Sequence, residues 1–273
     1  MNARTASLAL LLGLLPACGP MHRADHETAL TAEFALGSPL EVFTENGDVS
    51  VIVDPAIGAL AVEAVAHGSG DSATEAKSRA EAIRIDVAVR DGRTVIRPVY
   101  PNDERRSGEG CSFKVRVAAS SDIFVDSSNG ELELVGSTGS ARLETSNGAV
   151  HVRGHRGPLD VESSNGGLVL EDVEGEVIAE TSNGSIALHA HGDLSQPVRL
   201  SSSNGDLTIH VAVPPAGMLR AETSNGTISV TGMEFSFTGD YESRARDVDF
   251  RRPGPRHVAS TSNGSIRVQV GPR

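Results

Sequence analysis

The chain has 273 residues, 38% hydrophobic content, two Tyr, seven Phe, no Trp and a formal net charge of −12. That apolar content excludes a mostly disordered chain, and the length allows one large domain or two modest ones. The negative balance argues against nucleic acid or anionic lipid headgroups as partners, since both need a basic surface that displaces counterions.

Residues 1–17 read as a secretory signal, with a cation at Arg4 and an apolar run from Ala6 to Leu15 that is too short to span a bilayer. Leu15-Pro16-Ala17-Cys18 resembles the bacterial lipobox. That resemblance implies cleavage before Cys18, acylation of Cys18 and, with Gly19 next, sorting to the outer membrane of a Gram-negative cell. Residues 18–29 read as a flexible tether. Once Cys18 is acylated, Cys111 has no disulfide partner and is expected to be a small buried hydrophobe.

Residues 30–118 read as an irregular N-terminal β-rich cap. Leu40 to Val53 predicts two strands around Asn46-Gly47, Leu60 to Ala66 a third, and Ser72 to Ala82 a short helix rich in Ala, Glu, Lys and Arg. Ile83 to Val89, Thr94 to Pro98 and Phe113 to Val117 predict further strands, with a charged loop from Pro101 to Gly110.

The rest, 119–273, is dominated by a repeat. The chain has ten Asn, and eight of them precede Gly, a bias that points to one recurring backbone feature. The pairs are Asn129-Gly130, Asn147-Gly148, Asn165-Gly166, Asn183-Gly184, Asn204-Gly205, Asn225-Gly226 and Asn263-Gly264, with Asn46-Gly47 as an outlying copy. The third and fifth residues after each Asn are apolar, as in Val150 and Val152 or Leu168 and Leu170. The fourth residue before is apolar too, as in Leu143 and Val161. This is period-two alternation on both sides of a corner, so each unit is strand, Asn-Gly corner, strand.

Asn and Gly suit a corner because both tolerate positive φ. One such unit cannot hide its apolar face, but units stacked at strand spacing can. The predicted fold is therefore all-β: a single β-solenoid, parallel β-helix-like, of 18- to 21-residue rungs with an Asn ladder along its axis. An antiparallel meander or sandwich is the alternative. The gap between Asn225 and Asn263 approaches two periods, so a degenerate unit is expected between them, with Met233 to His257 interrupting the array.

The recurring Thr/Ser-Ser-Asn-Gly-x-apolar-x-apolar unit, as in Thr145-Ser146-Asn147-Gly148-Ala149-Val150, resembles the DUF4097 β-strand-repeat family, whose members carry an adhesin label. The resemblance covers roughly residues 30 to 270. It implies a β-solenoid envelope protein, in some cases tied to envelope-stress regulation, with no catalytic residues to carry over.

Two constellations are candidates for chemistry. A carboxylate stands three residues before the Asn at Asp126, Glu144, Glu162, Glu180 and Glu222. Stacked in register these form an acidic ladder that a divalent cation could neutralise, or that simply keeps the face solvated. Six residues after the Asn, Glu171, His189 and His210 would be neighbours and could hold a transition metal, although surface histidines beside a salt bridge give the same letters. No nucleophile-elbow, zinc-protease or phosphate-loop motif occurs, and no cofactor is implied. The expected function is a non-enzymatic, lipid-anchored envelope scaffold engaging an envelope protein or a surface. A polysaccharide-active β-helix enzyme and a divalent-metal module are the alternatives.

Overall fold

A computed structural model of the chain describes residues 21–190, 192, 194–232, 236–238 and 244–271. Residues 1–17, read above as a signal, and Cys18 lie outside the described residues. The strands form two sheets, one of twelve strands and one of eleven. Each Asn-Gly unit gives its first strand to the twelve-stranded sheet and its second to the other, as Ser140–Thr145 and Val150–Arg153 do on either side of Asn147. Successive rungs pair in parallel: Leu143 lies between Val125 and Val161, and Val152 between Leu134 and Leu170.

The alternation works as period two requires. In the Asn165 rung Leu159, Val161, Leu168 and Leu170 point inward and are buried, while Asp160 and Val169 between them are less so. The core between the sheets is mostly a column of Leu, Ile, Val and Ala, joined by Cys111, Phe113 and Phe250. Each fully buried aliphatic side chain contributes about 1.5–3 kcal/mol, but only because the rungs above and below complete its enclosure.

The order of rungs departs from the order of sequence at both ends. Along the axis the Asn204 rung is followed by the Asn263 rung, and the Asn225 rung lies outermost. Among the described residues no degenerate unit fills the gap between Asn225 and Asn263. Among its described residues, Ser236–Thr238 and Ala245–Asp249 instead form antiparallel strands at the edge of the first sheet. At the other end the Asn46 rung sits between the Asn129 rung and a rung made of Arg93–Val99 and Gly110–Val117. Asn46 is thus a full member of the stack, and residue 118 marks no boundary: the cap begins outside the Asn46 rung.

The cap closes the end with antiparallel strands. Arg84–Arg90 covers the edge of one sheet; Leu60–Gly70 and then His22–Ala32 cover the other. The expected tether at 18–29 is therefore corrected from residue 22 onward, because His22–Ala32 pairs along its whole length with Leu60–Gly70. Its alternating exposure hides the weak apolar pattern, with Leu30 and Ala32 turned toward the core. The helix Ala73–Ala82 packs on these strands through Ala76 and Ala80, capped by the Ser72 hydroxyl, which accepts from the Glu75 N–H.

Candidate functional site

Eight asparagines form one continuous ladder. From Asn129 each Nδ2 donates to the Oδ1 of the rung before, at 2.8–3.0 Å: Asn129 to Asn46, Asn147 to Asn129, Asn165 to Asn147, Asn183 to Asn165, Asn204 to Asn183, Asn263 to Asn204 and Asn225 to Asn263. Asn46 closes the cap end by donating to the Glu109 carbonyl.

The corner glycines have a different reason from the expected one. Neither the ladder Asn nor the Gly after it adopts positive φ; Gly136, Gly139, Gly154 and Gly157, which do, lie in the connections between rungs. What the corner needs is close approach. A Cβ on Gly148 would lie 1.8 Å from the Gly130 carbonyl oxygen, and one on Gly166 would lie 1.7 Å from that of Gly148. The Thr or Ser two residues before the Asn completes the joint, donating its buried hydroxyl to a corner carbonyl of the preceding rung: Thr145 to Gly130, Ser163 to Gly148, Thr181 to Gly166. The Thr/Ser-Ser-Asn-Gly string carried this signal, but only the stacked geometry gives the hydroxyl its acceptor.

The acidic ladder is only partly continuous. Asp126, Glu144, Glu162 and Glu180 stand side by side, then Ser201 and Ser260 intervene before Glu222. Arginines in the adjacent outward row offset part of the charge: Arg142 pairs with Glu144 and Asp160, and Arg220 with Glu222 and Asp247. Burial, reinforced by the Glu144 carboxylate, raises the Asp126 carboxyl above the usual range.

Glu171, His189 and His210 are register neighbours, but they do not converge. Glu171 accepts from Arg153 Nε at 3.1 Å, and buried His210 has its Nε2 3.1 Å from the Gly271 carbonyl. Among the described residues no group of three His, Cys, Asp or Glu side chains could hold a metal ion.

Sequence reading missed a groove on the outer face of the eleven-stranded sheet, near the cap. It encloses about 860 Å³ and crosses five strands, from His22–Ala32 to Leu132–Val135. Its rim carries Glu27, Asp48, Glu63, Glu131 and Glu133, and among the described residues that line it the one cation is Lys114. Ser50 donates to Glu133 at 2.7 Å, and Asp48 accepts from the Glu131 N–H at 2.8 Å, so the acidic rim is partly held in place. The chemistry offered is a set of hydrogen-bond acceptors for amine or guanidinium groups. The residues come from five segments far apart in sequence, which is why no local motif announced them.

The model of the family described as Toastrack DUF4097 matches residues 38–235. The chain belongs to this family. The match spans the rungs from Asn46 to Asn225 and stops short of the Asn263 rung. No curated protein matches the chain. Among solved structures, the chain is similar to a candidate adhesin from Bacteroides fragilis at 12% identity and TM-score 0.46, covering 94% of this chain and 100% of that one. A second candidate adhesin, from Parabacteroides distasonis, is 14% identical with TM-score 0.41, covering 90% of this chain and 97% of that one.

Proposed function

We propose that this Toastrack chain is a non-enzymatic, adhesin-like scaffold of the cell envelope, held to a membrane by acyl chains on Cys18. The observation that carries the scaffold reading is the pair of long sheets whose outward rows repeat in register, with an acidic groove at the cap end. Such a surface suits a protein or envelope component that presents basic or amine groups. The envelope-stress link belongs to the same proposal, with the partner's engagement as the sensed event.

The lipobox resemblance supports the anchor, and the first strand gives it a geometric consequence. Only residues 19–21 separate Cys18 from the strand that begins at His22, a reach of at most about 14 Å. An acylated Cys18 would thus hold the cap end, and with it the groove, close to the bilayer. In a Gram-negative cell that bilayer is the outer membrane.

Crosslinking from intact cells tests the scaffold reading: one recurrent envelope partner, lost on Glu63→Lys with Glu133→Lys, is expected. A partner set unaffected by those substitutions would remove the groove from the function. Metabolic labelling with a fatty-acid analogue tests the anchor, with label expected on the native chain and absent from Cys18→Ser.

A further inference from the structure

The Asn263 rung, Arg256–Asn263 and Ile266–Val270, follows the Asn225 rung in sequence, yet it fills an interior slot between the Asn204 and Asn225 rungs. Its fit there is complete. Asn263 donates to Asn204 and accepts from Asn225, each at 2.9 Å. The Thr261 hydroxyl donates to the Gly205 carbonyl at 2.9 Å, and Arg267 pairs with Asp206 at 2.7 Å.

The rung displaced by this insertion has nearly the same chemistry. Ala221, Thr223, Ser224, Asn225, Gly226, Ile228 and Val230 stand at the same positions as Ala259, Thr261, Ser262, Asn263, Gly264, Ile266 and Val268. The connection 212–217 leads from the Asn204 rung to the Asn225 rung across the occupied slot. It is six residues long, one fewer than the connection 191–197, which crosses a single rung spacing. Two spacings are about 9.6 Å, well within the reach of six residues, so the connection accommodates the slot filled or closed.

A slot that recognises a pattern, and a second copy carrying a rung with that pattern, are what exchange of an identical element between copies needs. We propose that residues 256–270 are an exchangeable rung, and that the slot between the Asn204 and Asn225 rungs accepts the same rung from a second copy of this chain, joining two solenoids. The hinge would be residues 250–255, which join Ala245–Asp249, paired on the outer side of the Asn225 rung, to Arg256–Asn263 in the slot.

The test uses the full chain with Cys18→Ser, Cys111 being buried. The Asn263 N–H donates to the Ser203 carbonyl at 2.9 Å, which places Ser203 and Ser262 side by side, and both side chains are exposed. Strand spacing puts their Cα atoms within disulfide range. One copy carries Ser203→Cys, a second, differently tagged, carries Ser262→Cys, and the two are mixed under mild oxidation. A disulfide between copies is expected, about tenfold above a control pair of Ser146→Cys and Ser164→Cys copies from the mid-array, where rungs stack in sequence order and no rung is inserted between consecutive ones. Closure of the double variant Ser203→Cys/Ser262→Cys within one chain, with no disulfide between singly substituted copies, would overturn the proposal. Absence of both disulfides would overturn it as well, by removing the rung order on which it rests.

Discussion

Replacing Gly166 by Ala tests whether close stacking, and not backbone handedness, makes the corner glycine obligatory. The added Cβ would lie 1.7 Å from the Gly148 oxygen and 2.4 Å from its carbon. Ordinary contact needs more than 3 Å, so the two rungs must part by over an ångström at this corner. Three hydrogen bonds cross the joint nearby: Asn165 N–H to the Ser146 carbonyl at 2.9 Å, Asn165 Nδ2 to Asn147 Oδ1 at 2.9 Å, and Ser163 Oγ to the Gly148 carbonyl at 3.1 Å. Losing two or three, with the Ser163 hydroxyl left buried, costs about 3–5 kcal/mol. That is a large share of the roughly 5–15 kcal/mol that stabilises a typical domain. Because a solenoid can open locally, the assay pairs urea denaturation with amide hydrogen exchange. Protection should fall by two orders of magnitude or more in the Asn147 and Asn165 rungs and less in the cap. Gly154→Ala serves as comparison: its Cβ meets nothing closer than 3.8 Å, and its φ of +69° predicts a strain of only about 1–2 kcal/mol. If Gly166→Ala costs no more than Gly154→Ala, the steric account is wrong.

Asn165→Asp removes the donor to Asn147 and sets two oxygens against each other; a protonated carboxyl can donate again, so the loss of stability should be larger at pH 7 than at pH 3. Thermal melts of this variant and the native chain at both values check it. In the cap, the fully buried Glu109 carboxylate is gripped by Arg79 through two 2.7 Å hydrogen bonds. Burial pushes this carboxyl up, but the Arg79 guanidinium and the Arg106 N–H outweigh it, and the net position is below the usual range. A depressed carboxyl contributes stability above its unfolded value of about 4.3 and loses it as pH falls through the folded value, so cap protection should fail first on acidification. Arg79→Ala should cost about 3–5 kcal/mol in the cap at pH 7, read by hydrogen exchange in Leu60–Gly70. Burial also pushes the Cys111 thiol up to about 12, so a maleimide should label it only after unfolding; labelling of the native chain would place it at the surface.

Much of the site chemistry was legible because the repeat aligns like with like. Once Asn147 and Asn165 occupy equal places in equal rungs, their amides meet without further information, and so do Glu144 and Glu162. Arg142 was not legible as the partner of Asp160, because that carboxylate stands 18 residues away and comes beside it only when the neighbouring strand pairs. The groove around Lys114 was invisible for the same reason on a larger scale, since its walls come from strands that pair only after the cap folds back.

By itself, the order of residues determined the rung: apolar alternation on two strands, an Asn-Gly corner between them, and a family of parallel stackable units. Tertiary structure alone decided the order in which those units stack. Rungs with the same pattern present the same apolar and corner groups to a neighbour, so local preference does not distinguish Asn225 from Asn263 beside Asn204. The choice falls to the connections and the edge strands, which are satisfied only in the assembled fold. Residues 22–32 show the same division: a polar segment with little strand signal becomes an eleven-residue strand because the cap presents it with an open edge.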